Sequence, residues 1–417
     1  MAAIQHDYAP READQAELDN PLERLSPEQL EAFTRELDAI RDEVFADLGE
    51  ADARYIRSII RSQRQLAIAS RLLLLGSRRR SLWLAGATAL SLAKILENLE
   101  IGHNLLHGQW DWMNDPDIDS QTWDWDTASP GAAWRHAHNY VHHVYAQVRG
   151  KDRDLGYTLL RVDPLQQWKP IFFFQPAYNL LLMALFEWGV ALYDLNTPAM
   201  LSGEKPREQY FGELKEIGAK ARRQIIKDFV AFPLLSRVLT RNRASFKSTL
   251  TANLTANVVR NAWAHSVIFC GHFTEETFTF SEDEIAGETR GEWYVRQLLG
   301  AANFEGSVLM HILGGHTGLQ IEHHLFPDMP SNRLRQVAPR VKEICERYGL
   351  PYNNGPFGRQ LASVHKTILR YALPGGKPKP KLQPAPTAAG PRPEGDRWGV
   401  PTPPAARAHI WRELTPR

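Results

Sequence analysis

Leu82-Trp-Leu-Ala-Gly-Ala-Thr-Ala-Leu-Ser-Leu-Ala93, running on through Lys94, Glu97 and Glu100 to His103-Asn-Leu-Leu-His107, is the stretch that decides the fold. Its first half carries no charge, and its second half keeps a helical pattern up to two histidines. The length suits a bilayer span that ends in a polar surface. On such a helix Glu100, His103 and His107 share one face at i, i+3 and i+7, so polar groups gather where the apolar run stops. A histidine pair at i, i+4 points both rings the same way across about 6 Å of axis.

Two further boxes follow, His138-Asn-Tyr-Val-His142-His143 and Gln320-Ile-Glu-His323-His324. Of the fifteen histidines, all but His6, His365 and His409 lie between His103 and His324, so the enrichment is regional. A single histidine is ordinarily a hydrogen-bonded core or surface residue. Three boxes together read as a metal site assembled from distant parts of the chain, because imidazole is the commonest neutral ligand for transition metals.

Mean hydropathy is −0.38, yet that average conceals long apolar windows. Ile171 to Tyr193 is the clearest candidate span, with Glu187 its only charge. Leu250 to Phe273 is a third, and Val295 to Leu313 a weaker fourth, interrupted by Arg296, Asn303 and Glu305. Each also suits a buried core helix of a soluble protein. Along the third segment Asn253, Asn257, Asn261 and His265 fall at steps of four, and His272 returns to nearly the same azimuth. That stripe reads either as functional polarity or as an interhelical hydrogen-bond seam. His265 and His272 are about 10 Å apart along the axis, so one of them reaches a given metal.

The net charge of +1 argues against a nucleic-acid partner. Two cysteines, Cys270 and Cys345, are too few for an iron–sulfur cluster or a zinc site built from four thiolates. Met1 to Asn20 has no apolar core of a signal peptide. Residues 1–65 are expected to form amphipathic cytoplasmic helices, starting at the capping box Ser26-Pro27-Glu28-Gln29. Tyr55 to Leu75 reads as an interfacial helix or a short span. Residues 66–373 carry the boxes, with terminal helices at Leu334 to Tyr348 and Arg359 to Leu373. Residues 374–417 read as a proline-rich disordered tail. Charge does not orient the spans, since basic residues cluster both around Arg78 and between Lys205 and Lys247.

The boxes, with Gly108-Gln-Trp-Asp-Trp-Met-Asn114 after the first and Leu325-Phe326-Pro327 after the third, resemble the membrane fatty acid desaturases. The Gln-Ile-Glu-His-His form is similar to linoleoyl-CoA or front-end desaturases and to actinobacterial acyl-CoA desaturases. The resemblance implies an all-α membrane bundle of about four spans, with a cytoplasmic helical cap holding two irons. It implies O2-dependent removal of two hydrogens from a fatty acyl chain, presented as a CoA thioester or a lipid, in a bacterial cytoplasmic membrane.

By the same resemblance His103, His107, His138, His142, His143, His323 and His324 are ligands, and Gln320 stands where many relatives place another histidine. Asn261 with His265 resembles the family's pair on the fourth span, and His272 is the rival of His265. The second box has one residue more between its first two histidines than the common family form, which makes His136 a substitute for His138. Asp152 and Asp154, close after that box, are candidates to orient its imidazoles. With no haem motif, nucleotide loop or cysteine cluster, electrons are expected from an external donor, ferredoxin with its reductase or a cytochrome.

A methylene chain offers nothing to an acid, base or nucleophile, so a strongly oxidising metal–oxygen chemistry is required. A soluble ferritin-like enzyme would need two Glu-x-x-His motifs, and only Glu100-Ile-Gly-His103 fits. A membrane hydroxylase would use the same boxes and differ in product. A metal transporter would continue its polar groups across the membrane, whereas these boxes sit at helix ends.

Overall fold

A computed structural model describes residues 25–375; residues 1–24 and the tail beyond Gly375, on which two of the expectations above fall, lie outside the described residues. Sixteen α-helices are described, several of them short. In chain order they are α1 (Pro27–Ala46), α2 (Glu50–Leu75), α3 (Arg80–Ile95), α4 (Asn104–Leu106), α5 (Gly131–Arg135), α6 (Gln175–Ala184), α7 (Phe186–Asp194) and α8 (Thr197–Ser202). There follow α9 (Arg207–Ile225), α10 (Phe232–Thr240), α11 (Arg243–His272), α12 (Arg290–Gly300), α13 (Val308–Leu313), α14 (Gln320–Leu325), α15 (Ser331–Arg347) and α16 (Phe357–Tyr371). The named strands are β1 (Asn303–Glu305) and β2 (Asn354–Pro356), a parallel pair with Asn303 opposite Asn354.

The 30-residue α11 is the spine, about 45 Å long, with α3, α6, α10 and α16 against it. α2 and α3 form an antiparallel hairpin alongside, and its turn is tied to α11 where Trp83 Nε1 and Ser248 Oγ donate to Ser248 O and Ser77 O. α3 does not stop at Ile95. It widens into π-helical turns over Leu96–His103 before α4, and α5 widens likewise over His136–His142.

α1 starts at the capping box, with Ser26 and Gln29 exchanging backbone and side-chain hydrogen bonds of 3.2 and 3.0 Å. Its buried Phe33, Leu37 and Ile40 share a core with Trp293 and Leu298 of α12 and Val337 and Ile344 of α15. α2 runs unbroken across residues 65 and 66, so the N-terminal helices and the histidine-bearing part are joined through one continuous element.

The expected spans fold differently from one another. Leu250 to Phe273 lies within α11, apart from its last residue. Ile171 to Tyr193 is broken at Leu185, and the pair Pro170–Ala184 and Phe186–Ser202, bent by 98°, passes for a span only in combination. Val295 to Leu313 is not one helix: it is the end of α12, β1 and α13. Arg296 is held inside by Glu288 (2.6 Å) and by the carbonyls of Val144 and Ala146, and Asn303 starts the strand. No single helix among the described residues is long and apolar enough to cross a membrane.

Large apolar side chains are nevertheless exposed on the adjacent helices α2, α3, α10 and α11: Ile68, Leu72, Leu84, Leu235, Val238, Leu239, Leu254 and Val258. A surface of this kind marks a membrane-facing or partner-facing region. Between these helices lies a buried ionic network. Lys94 Nζ is 2.7 Å from Asp228, Arg71 pairs with Asp228 and donates to Asn253, and Arg260 pairs with Glu187, which Gln224 also contacts.

Candidate metal centre

The π-helical turns place the first two histidine boxes. Where the backbone bonds i to i+5, residues four and five apart fall on one side, which an α-turn would separate by about 100°. In the second box His143 N donates to His138 O at 2.9 Å, and His138, His142 and His143 converge as a potential metal-binding triplet. In the first box the wide turn ends at His103, and the rings of His103 and His107 lie 4.6 Å apart. Asn139 ties the two boxes together by donating to Leu106 O at 2.9 Å. The third box rides on α14, which packs on α12 and α15.

Eight histidines come together in three overlapping groups. His103, His107, His138 and His323 form one; His138, His142 and His143 form the second; His142, His272 and His324 form the third, with candidate ligand atoms within 4.8 Å of one another in each group. His143 sits in the middle, stacked on His324 at 4.3 Å and 4.7 Å from His107. Two adjacent metal positions sharing the second box fit this layout.

The outer nitrogens are held by acceptors. His138 Nδ1 lies 3.2 Å from Asp154 Oδ2, His142 Nδ1 3.0 Å from Asp152 Oδ1, His324 Nδ1 2.8 Å from Gln297 Oε1, and His103 Nδ1 3.0 Å from Asn104 Oδ1. Protonation at Nδ1 leaves the Nε2 lone pair pointing inward. The Nε2 atoms of His138, His142, His323 and His324 are buried with no hydrogen-bond partner. Buried polar atoms are almost always satisfied, so four unsatisfied lone pairs facing one another are what a cation would satisfy. The donor set is wholly imidazole, which suits iron, zinc or copper rather than magnesium or calcium.

Electrostatics keep most of these rings neutral. Burial lowers His138 despite its bond to Asp154, and burial with mutual repulsion holds His323 and His324 well below the usual histidine range. His142 is the exception: burial opposes its charge, yet Asp152 and Asp154 raise it. Burial also opposes ionisation of Asp154, and His142 and His138 still hold its carboxyl far below the ordinary value. Those two carboxylates supply the negative charge that the ligand set lacks.

The other candidates sit elsewhere or in supporting places. His265 is outside all three groups, its Nε2 3.0 Å from Asn179 Oδ1 and its ring stacked 3.7 Å from Phe269; it is His272, two turns on, that reaches the cluster. Asn261 donates to Ala184 O at 2.9 Å and lines a cavity rather than the histidine cluster. His136 is exposed and stacked on Tyr140. Gln320 Nε2 lies 3.0 Å from His272 Nε2, and a Cβ at Gly271 would come within 2.7 Å of the Gln320 side chain, so the glycine admits that contact.

Several supporting residues escaped the sequence reading. Gln297 bridges His324 and His143 O; Trp134 stacks on His138 at 4.3 Å; and Glu322, between Ile321 and His323, is held by Tyr352 and Asn303 and raised by burial to about 7. Glu100 accepts from Tyr55 and Ser331 at 2.7 Å and lies 3.0 Å from His316 Nδ1. Glu100 is the residue that the sequence pattern does place, on one helix face with His103 and His107, and Glu322 lies within the third box.

A cavity opens on the cluster. His103, His138, His272 and Gln320 line one part of it; Trp134, Tyr157, Phe186, Val190 and Ile268 line its apolar wall; Asn261 and Glu187 lie at the other end. Asn261 and His272, both in its lining, are separated by about 16 Å of α11.

Comparison with known proteins places the chain among lipid enzymes. The family model for fatty acid desaturases matches residues 81–356. The chain is 47% identical over 350 residues to the NADPH-dependent stearoyl-CoA 9-desaturase of Mycobacterium tuberculosis, covering 84% of this chain and 82% of that protein. It is 40% identical to fatty acid desaturase 3 of Bos taurus over 85 residues, 20% of this chain and 19% of the relative. No solved structure matches.

Proposed function

The chain belongs to the fatty acid desaturase family and is an oxidoreductase, and from that premise we propose that it introduces a double bond into a long-chain acyl-CoA, with stearoyl-CoA at C9–C10 the leading substrate. The substrate assignment follows the name of the mycobacterial relative. The observation that carries the mechanistic reading is the set of inward, partnerless Nε2 atoms on His138, His142, His323 and His324, each but His323 backed by a hydrogen-bonded Nδ1.

His103, His107, His138 and His323 would hold one iron, and His142, His272 and His324 a second, with His143 between them. Such a pair, with O2 and two electrons from an external donor, supplies the oxidising power to take hydrogen from an unactivated methylene. The protein's share is positional. Asp152, Asp154 and Gln297 fix the imidazole orientations, and the wall from Trp134 to Ile268 lays an acyl chain beside the cluster and keeps water out. The exposed apolar side chains of α2, α3, α10 and α11 support residence in a membrane, with the histidine cluster beyond the apolar belt.

The test is gas chromatography with mass detection on lipids from a host expressing the chain with donor proteins, beside the His323→Ala/His324→Ala variant. A new monounsaturated acid that requires both histidines is the expected result. A hydroxylated acid instead would assign a hydroxylase, and an unchanged profile with a chemically reduced, iron-loaded protein would remove acyl chains as substrates.

A further inference from the structure

The outer face of α2 carries a charge pattern that the metal centre leaves unused. Arg54, Arg57, Arg61 and Arg64 recur at i, i+3, i+7 and i+10, within an arc of about 80° of the helix, and all four are exposed. No acidic residue occurs between Asp52 and Glu97. Arg57 pairs with Asp115 at 3.0 Å, whereas Arg54, Arg61 and Arg64 make no ion pair or side-chain hydrogen bond with the described residues. Three clustered guanidinium groups with no partner among the described residues raise a positive potential that a surface helix does not need for stability.

The position of the stripe distinguishes it from a membrane anchor. Exposed apolar side chains on α2 begin at Ile68 and Leu72, so the arginines rise about 15 Å from Arg64 to Arg54, away from the apolar belt. Only Arg64 stands within a turn or so of it. The inner side of the same helical turns leads to the histidine cluster. The Tyr55 hydroxyl donates to Glu100 Oε1 at 2.7 Å, Tyr55 stacks on Trp110 at 6.2 Å, and Glu100 is three residues before His103.

We propose that this arginine face docks an acidic iron–sulfur protein, which delivers electrons by the Tyr55–Glu100 side of the first histidine box. The inference rests on the external-donor reading above. The electron count agrees: two electrons from the carrier and two from the acyl C–H bonds, with two protons from solvent and two from the chain, reduce one O2 to two waters.

The experiment uses the full chain in nanodiscs of zwitterionic phosphatidylcholine and a reduced acidic 2Fe–2S ferredoxin as the probe. Charge reversal, Arg54→Glu/Arg61→Glu/Arg64→Glu, is expected to weaken ferredoxin binding and raise its KM by about tenfold or more, and to flatten the dependence of the association rate on salt. Conversion of stearoyl-CoA with dithionite as reductant, iron content and helicity stay as in the parent protein. The milder Arg→Gln triple variant gives an intermediate loss, which guards against misfolding. Charge reversal at Arg78, Arg79 and Arg80, at the other end of α2, leaves ferredoxin kinetics unchanged.

Unaltered ferredoxin affinity and salt dependence in the triple variants would overturn the proposal. So would loss of binding to phosphatidylglycerol vesicles with ferredoxin affinity intact, since the face would then serve anionic lipid. Failure of the parent protein to form product even with dithionite would count against the desaturase reading alone, because ferredoxin binding is measured separately.

Discussion

Two buried polar clusters of opposite character lie along α11 and along α3 with its π-helical extension. Where α3 ends, Lys94 meets Asp228, which Arg71 of α2 also pairs with, while Arg260 of α11 meets Glu187, so every one of these charges has an opposite partner. Beyond them His103 and His272 join six other histidines, among which the Nε2 atoms of His138, His142, His323 and His324 are buried without a hydrogen-bond partner. The charges of the first cluster neutralise one another and hold neighbouring helices together, with Glu187 also lining the cavity. The second is satisfied on its outside and unsatisfied within, which is the signature of a site made for something else. Burial alone does not tell the two apart; the direction of the free lone pairs does.

The sharpest way to break this comparison is to remove ligands from one cluster and charges from the other. His323→Ala/His324→Ala is expected to abolish desaturation and to lower bound iron from two per chain to one or none, measured by inductively coupled plasma mass spectrometry, with little change in helicity. Arg260→Met should do the reverse. It leaves the buried Glu187 carboxylate with Gln224 alone, at about 3–5 kcal/mol in stability, while iron per folded chain is retained. The double variant Arg260→Met/Glu187→Leu should recover most of that loss in a thermal or denaturant melt. Iron lost in step with stability in Arg260→Met would merge the two clusters into one functional unit.

What the sequence made legible follows the range of the interactions. The α1 capping box and helices α15 and α16 depend on neighbours a few residues away and were readable as patterns. The three boxes were readable as clusters of one residue type. The π-helical turns were not, because widening a helix sets tertiary contacts against local hydrogen bonding; Asn104 bonding to Gly315 O and Asn139 bonding to Leu106 O are long-range events. Periodicity gave His265 and His272 the same azimuth, and only the height of the other boxes along α11 selects His272. Val295 to Leu313 reads as a weak span on its apolar parts, with Arg296 an interruption, whereas Arg296 is an interior strut for the segment after the second box. Gln297 beside it, the partner of His324, had no pattern to betray it.

Smaller changes sharpen the line between a ligand and the group that aims it. Asp154→Asn keeps the shape but loses the full charge that His138 faces, and the acceptor can rotate its amide toward the ring. The expected cost is about 10–100-fold in metal affinity or rate, read from iron retained against a chelator and from kcat. The same substitution at Asp152 should fall in that range, and its backbone contact to Gln147 N makes it the more damaging to the loop. If either variant binds iron as the parent does and keeps its rate, the carboxylates are not orienting groups.

Gln320→Leu is the finest test. The amide nitrogen contacts His272 Nε2 and nothing else among the described residues, and the amide oxygen is buried without a partner. A side chain that positions His272 should cost one neutral hydrogen bond, about 1 kcal/mol, or roughly a fivefold fall in rate with two irons still bound. A side chain that itself ligates should release one iron and lose far more. The second outcome rests on the partnerless oxygen, because an amide oxygen can ligate a metal and the same amide touches His272 of the third group. The amide nitrogen on His272 favours the first: a ligating oxygen would have to turn that nitrogen away from a ring with which Gly271 makes room for it to pack. Iron counting therefore separates the two where rate alone would not.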